Sequence, residues 1–268
     1  MGDIPSITLN DGNKIPMLGL GTSRLANAYK AVTSALEAGY RHIDTAAMYG
    51  NEEEVGRAVR DSSIPRDEIF ITTKLSNDSH GDVKRAFEGS LKRLGLGYID
   101  LYLIHWPMPG RLDGWVSLNE MKDSGAPVKS LGVSNFTIRH LEELLNKSDK
   151  VPAVNQVEFN PFINQQELLV YNQGKGILME AYSPMTRANR LADSTVKAIS
   201  ESHDKSPAQV LLRWSIQQGV AVIPKAQDPE HQLANMDIFN WQLTAEDMER
   251  LGGLNDGFRV TEDPERYA

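Results

Sequence analysis

The sequence predicts an α/β protein built as a (β/α)8 TIM barrel, with an N-terminal β-hairpin plugging the barrel bottom, and three observations point there. Eight short β-branched or apolar runs alternate with longer segments of helical periodicity along the 268 residues. Strands separated by helices pair in parallel through right-handed crossovers, and eight such units close on themselves in about 250 residues. The third observation is a missing signal. An open doubly wound sheet would carry a Gly-rich phosphate fingerprint after its first strand, and LGLGTSRL offers only two glycines there.

Taken in order, ITLNDG followed by NKIPM predicts the hairpin, turning at Asp11-Gly12. Barrel strands are expected at 17–22, 41–46, 69–74, 100–106, 128–134, 153–159, 176–182 and 220–224. Helices are expected at 26–38, 51–60, 82–94, 112–122, 138–145, 165–172, 194–203 with 207–217, and 229–235. The first shows the logic: Val32, Leu36 and Tyr40 fall on one face, Lys30 and Glu37 away from it. A last helix, 245–251, has Thr244 placed to cap it. No Pro/Gly/Ser-rich linker or shift of composition interrupts the pattern, so a single domain over residues 1–268 is expected.

Composition narrows the function. Lys and Arg number 28 against 36 Asp and Glu, a formal charge of −8, and an acidic chain lacks the footprint that phosphate backbones need. Nucleic acid is therefore not an expected partner. The absence of cysteine rules out disulfides, thiolate metal sites and a Cys nucleophile. No apolar run is long enough for a bilayer, and MGDIPSITLNDGNK has no signal-peptide pattern, so a cytoplasmic location and no membrane partner are expected. Gly2 and Ser6 match a loose myristoylation pattern, but Asp3 and Pro5 stand between them and no modification is inferred. The sequons at Asn77, Asn135 and Asn146 carry no weight without secretion.

In this fold the active site is assembled where the strands end. Asp44 closes the second strand, Lys74 the third and His105 the fourth, while Tyr49 sits in the loop after the second. Singly, each has an ordinary explanation: a rim ion pair, a core histidine, a packed tyrosine. Together they make a proton-donating device. A phenol titrates near 10, an adjacent ammonium favours its anion, and a carboxylate keeps that ammonium charged and aimed. Ser134, Asn135 and Gln156 at the next strand ends suit a carboxamide, Tyr182 offers a ring for stacking, and Lys225 precedes a short helix whose N-terminus favours phosphate. Such a mouth suits a nucleotide.

At these residues the chain resembles the aldo-keto reductases. GYRHIDTAAMYGNEEEVG (39–56), KSLGVSNF (129–136), VNQVEFNPF (154–162), AYSP (181–184), SPAQVLLRW (206–214) and IPK (223–225) match that family's segments in order, from about residue 6 to 255. The resemblance implies that Tyr49 is the general acid, Lys74 and Asp44 its partners, and His105 the residue orienting a carbonyl. It also implies that Ser134, Asn135 and Gln156 hold a nicotinamide carboxamide, with Tyr182 stacked on the ring. Ser183 would lie near the pyrophosphate, Lys225 and His231 near the 2′-phosphate, and Asn235 near the adenine. The implied reaction is hydride transfer from NADPH to an aldehyde or ketone, diketones and cyclic imines included, with no metal.

Several positions depart from the family pattern. Where many members carry Ser or Thr after the phosphate-binding Lys, and Arg five positions beyond that, this chain has Ala226 and His231, so NADH is an expected alternative to NADPH. Ser23 and Ser76 replace two frequent tryptophans while Trp106 is kept, which predicts a wider, more polar substrate pocket. The loop after AYSP is short, and Arg187 and Arg190 within it are candidates for lost phosphate contacts. The partner expected is a small-molecule carbonyl, met by a monomer. The alternatives are a non-catalytic, cofactor-binding regulatory subunit on the same fold, and a sugar-phosphate isomerase, which would need a Gly-rich phosphate loop that AYSPMTRANR lacks.

Overall fold

Runs such as FITTKL and IDLYLI are buried at every position, the pattern of parallel strands covered on both faces. The computed structural model describes residues 4–267. An antiparallel hairpin, β1 (Ser6–Thr8) and β2 (Lys14–Pro16), comes first, pairing Ser6 with Pro16. The parallel strands follow: β3 (Leu20–Gly21), β4 (His42–Asp44), β5 (Phe70–Leu75), β6 (Ile99–Ile104), β7 (Val128–Ser134), β8 (Val154–Glu158), β9 (Leu178–Tyr182) and β10 (Ala221–Val222). They neighbour one another in chain order. The sheet closes where Leu18 bridges Val222 and where Gly19 N–H donates to the Val222 carbonyl at 2.9 Å.

Helices fill the crossovers: α1 (Ala28–Ala38), α2 (Glu52–Asp61), α3 (Val83–Leu94), α4 (Arg111–Asp123), α5 (Ile138–Lys147), α6 (Gln166–Gly174), α7 (Ser194–Ser202) and α8 (Pro207–Gln217), then α9 (Pro229–Met236) and α10 (Ala245–Gly252). Local chemistry sets their ends. Asn27 accepts from the Lys30 N–H at the start of α1, and Thr244 caps α10 in a capping box with Asp247, as its spacing predicts. Helix α1 stops at Ala38 because Gly39 turns left-handed, at φ 113°. Tyr40 is therefore buried beyond the helix rather than on its face, with its hydroxyl on the Gln232 carbonyl. None of the helices among the described residues is long and apolar enough to cross a membrane. Gly2 lies outside the described residues.

Because side chains alternate along a strand, every second residue enters the barrel, and the interior changes character from bottom to mouth. The lowest level is apolar: Phe70, Leu101, Leu103, Val154 and Leu178 pack with Leu9, Ile15 and Met17 of the hairpin region. The expected plug is thus formed. Asn10 Nδ2 donates to the Pro152 carbonyl and Asn13 Nδ2 to the Lys129 carbonyl, pinning the turn to the barrel floor. Above lies a polar level of His42, Thr72, Gln156 and Glu180, all buried, and above that the strand-end residues. Gly19 makes the room for this level, since a Cβ there would come 2.6 Å from the His42 ring nitrogen.

Candidate active site

Parallel register sets Asp44 beside Thr72 and Lys74 beside Leu103, so β4 and β5 deliver their polar ends to one corner of the mouth. Lys74 Nζ donates to Asp44 Oδ1 at 2.6 Å and to the Thr45 carbonyl at 2.8 Å, with neither side chain more than 3% exposed. Burial alone would strip the charge from Lys74, but the Asp44 carboxylate overrides it and holds the ammonium above its ordinary pKa. Burial also pushes the Asp44 carboxyl up, against the pull of Lys74 and the Gln156 amide. The short, charge-assisted contact identifies the two as an ion pair.

Tyr49 follows in a 3-10 turn after β4, and its ring centroid is 5.0 Å from Lys74 Nζ. Burial raises the phenol above its ordinary value, more than Lys74 and the Ser23 hydroxyl beside it lower it. The expectation that Lys74 makes a readier acid is met only in direction, because desolvation outweighs it. His105 stands edge-on to Tyr49, ring centroids 5.6 Å apart. Burial and the nearby Lys74 charge drop its pKa to about 3, so it is a neutral imidazole near pH 7. The three strand-end residues and Tyr49 therefore share one corner of the barrel mouth.

The other candidate residues fall into two groups. Ser134 and Asn135 are buried where β7 ends, and Asn135 is left-handed at φ 65°. Asn135 Nδ2 donates to the His105 carbonyl at 2.9 Å, and its Oδ1 accepts the Tyr182 hydroxyl at 2.7 Å. The Tyr182 ring is thereby fixed at the mouth. Gln156 gives both amide hydrogens to carboxyl groups, Asp44 at 2.8 Å and Glu180 at 2.6 Å, leaving only its carbonyl to face a ligand. Ser183 is left-handed at φ 48°, as are Thr186, Arg187 and Ala188 in the loop that follows.

Lys225 and His231 lie apart from this corner, both exposed, and Lys225 pairs with no carboxylate among the described residues. The N-terminus of α9 is already capped by Asp228, whose carboxylate accepts the Glu230 N–H. Asn235 is buried at 3% exposure. Arg190 is committed to Asp256 at 2.8 Å and lies over the Phe258 ring, tying its loop to the C-terminal tail. Of the pocket residues, Ser23 faces Tyr49, Ser76 faces Asp78, and Trp106 packs edge-on against Tyr267.

Tail and floor residues were missed by sequence reasoning. Glu158 accepts from the N–H groups of Val260 and Thr261 and from the Thr261 hydroxyl, strapping the tail across the mouth. Thr261 also meets the Tyr182 hydroxyl at 2.8 Å. Nothing local marks 260–267, but Glu180 had a signal, as a lone charge in GILMEAY two positions from Tyr182 and hence on its face. The donor set fits a dinucleotide: a fixed ring, amide and hydroxyl groups at adjacent strand ends, and an unpaired cation on the rim.

A buried ion pair beside a tyrosine and a neutral histidine at the mouth of a (β/α)8 barrel is an arrangement suited to proton transfer, and comparison with known proteins gives the class. The Aldo/keto reductase family model matches residues 17–256. An aldo-keto reductase of Mycolicibacterium vanbaalenii is 48% identical over 98% of this chain and 97% of its own. Among solved structures, the aldo-keto reductase MGS-M4 from a Medee basin deep-sea metagenome library superposes with TM-score 0.94 at 42% identity, covering 98% of this chain and all of the other. One from Bombyx mori, solved in complex with NADP, superposes with TM-score 0.92 at 38% identity, covering 100% and 98%. The chain belongs to the aldo/keto reductase family and is an NAD(P)H-dependent oxidoreductase.

Proposed function

We propose that this protein, a single barrel domain acting as a monomer, reduces aldehydes or ketones to alcohols with NADPH, using Tyr49 as the general acid. The observation that carries the reading is the buried Asp44–Lys74 ion pair at 2.6 Å, set beside Tyr49 and opposite a neutral His105. Ser134, Asn135 and the Gln156 carbonyl would hold the nicotinamide amide, Tyr182 its ring, Ser183 the pyrophosphate, and Lys225 with His231 the 2′-phosphate. When bound, the dinucleotide supplies a hydride to the carbonyl carbon.

The chain's own residues manage the proton. A phenol kept above its ordinary pKa by burial stays protonated at rest. A phenol is intrinsically a stronger acid than an alcohol, ~10 against ~16 for a group like water, so proton transfer to the developing alkoxide has an intrinsic driving force. The Lys74 ammonium stabilises the phenolate that results, and Asp44 keeps that ammonium charged. His105 has one proton to give, and its Nδ1 is buried with no partner among the described residues. With that proton on Nε2 the ring donates to the carbonyl oxygen and fixes it toward Tyr49. Tyr49→Phe is expected to cut kcat by about 10²–10⁴, while quenching of the four tryptophans by NADPH is retained. Undiminished turnover in that variant would sink the assignment.

A further inference from the structure

Of the polar level of the barrel, only Gln156 has a part in this mechanism. Directly beneath the Asp44–Lys74 pair, Glu180 lies fully buried on β9, in a level where the neighbouring inward positions below are Leu and Val. Its Oε2 accepts from Gln156 Nε2 at 2.6 Å, the same nitrogen donates to Asp44 Oδ2 at 2.8 Å, and Asp44 Oδ1 holds Lys74 at 2.6 Å. Four side chains from β9, β8, β4 and β5 thus form one unbroken chain of contacts ending beside Tyr49. Its other oxygen, Oε1, is buried with no hydrogen-bond partner among the described residues, and the nearest basic group is His42 Nε2 at 3.8 Å.

We propose that Glu180 is a positioning residue of this site, which in its neutral acid form anchors Gln156 against Asp44 and thereby fixes the charge and aim of the Lys74 ammonium at Tyr49. The inference rests on the reductase reading and assigns it a part outside the four mouth residues. The geometry favours the neutral form. An oxygen without a donor is tolerable on a protonated acid and costly on a carboxylate in an apolar enclosure. The groups facing it are Asp44 and His42 of β4, Lys74 of β5 and Gln156 of β8, while β10 contributes only apolar residues. With one ammonium among them, the enclosure balances one carboxylate, and that place is taken by Asp44 in direct contact. Burial, and then the Asp44 charge, accordingly push Glu180 up to about 8. His42, held down to about 3 mainly by burial, does not take the proton instead.

Ionisation of Glu180 places a second negative charge in the enclosure. That charge competes with Tyr49 for Lys74, which raises the ammonium's pKa further and withdraws the stabilisation a phenolate needs. Activity should therefore switch off on an alkaline limb centred near 8, well below the ranges of Tyr49 and Lys74.

The test uses purified full-length protein. Infrared difference spectra over pH 6–10 should show a protonated carboxyl band lost with a midpoint near 8 in the wild type and absent in Glu180→Gln. In parallel, kcat for an aldehyde the wild type reduces should fall about tenfold per pH unit above that midpoint, and Glu180→Gln should lose this limb. Glu180→Asp, which keeps an acid but shortens its reach to Gln156, should lower kcat and retain the limb, so it decides the question if the Gln variant does not fold. A carboxyl band indifferent to Glu180→Gln, or superimposable pH profiles, would overturn the inference while the reductase reading stood. No turnover with any carbonyl, whatever the band does, would overturn the reductase reading and this role with it.

Discussion

At the scale of single residues, the end of the site proposed to hold the 2′-phosphate differs most from the corner proposed to transfer the proton. Asp44 and Lys74 are buried and paired, His105 is buried and Tyr49 half-buried beside them, whereas Lys225 and His231 are exposed on a rim where Asp228 adds a negative charge. Ala226 has no hydroxyl and is 5% exposed. An exposed lysine alone makes a point contact with a phosphate, while an arginine adds a two-pronged one. The double variant Ala226→Ser, His231→Arg should therefore favour NADPH over NADH by about a further tenfold, the equivalent of one charge-assisted hydrogen bond. Fluorescence titration with each cofactor reads this directly, and an unaltered ratio would place the 2′-phosphate elsewhere.

At the scale of elements, the barrel's interior strands were legible and its seam was less so. Strand β7 begins and ends where its apolar run does, and β5, β6, β8 and β9 fall within two residues of expectation. The strands expected at 17–22 and 220–224 shrink to Leu20–Gly21 and Ala221–Val222; Gly19 and Gly21 still donate to the Val222 and Pro224 carbonyls across the seam, but Pro224 has no N–H with which to continue the ladder. The mouth residues were visible because polar groups at strand ends break an apolar run. The tail could not be read from sequence, since its position depends on Glu158 and on Arg139, whose guanidinium donates to the Tyr267 carbonyl at 2.8 Å. These contacts span more than a hundred residues. Glu158→Ala should release the strap: amide exchange at Val260 and Thr261 should accelerate about tenfold or more, in proportion to the hydrogen bonds lost, with β5 and β6 unaffected. Undisturbed protection at those two amides would show that the tail is held by other contacts.

For the whole molecule, the buried titratable groups set how stability varies with pH. His42 and His105, lowered to about 3 from 6.5, bind fewer protons folded than unfolded, so their contribution is complete above about 6.5 and is lost as pH falls through that range. Each costs about 2 kcal/mol at pH 5. Glu180, raised to about 8 from 4.5, acts in the opposite sense: the folded state binds the extra proton, and stability declines as pH rises from 4.5 to 8. Together they place the optimum of this cluster near pH 6.5. Urea unfolding of Glu180→Gln beside the wild type should show the variant gaining about 4 kcal/mol relative to the wild type between pH 5 and pH 8.5. Parallel curves would mean that the carboxyl is already ionised in the folded protein.

The closure of the sheet also dictates a timetable. Leu18 and Val222 are the clasp of the hoop, and about two hundred residues of chain separate them. A growing polypeptide cannot fasten it until the last strand has left the ribosome, so an open arc with two free borders must persist through most of synthesis. The border that persists throughout, β3, is two residues long, too little backbone to recruit a neighbouring chain, whereas the advancing border passes through longer strands such as β6 and β7 before the two-residue β10 completes the hoop. The brevity of the seam thus blunts the standing border of the unfinished molecule and leaves the advancing one as the edge that each newly made strand must cover in turn.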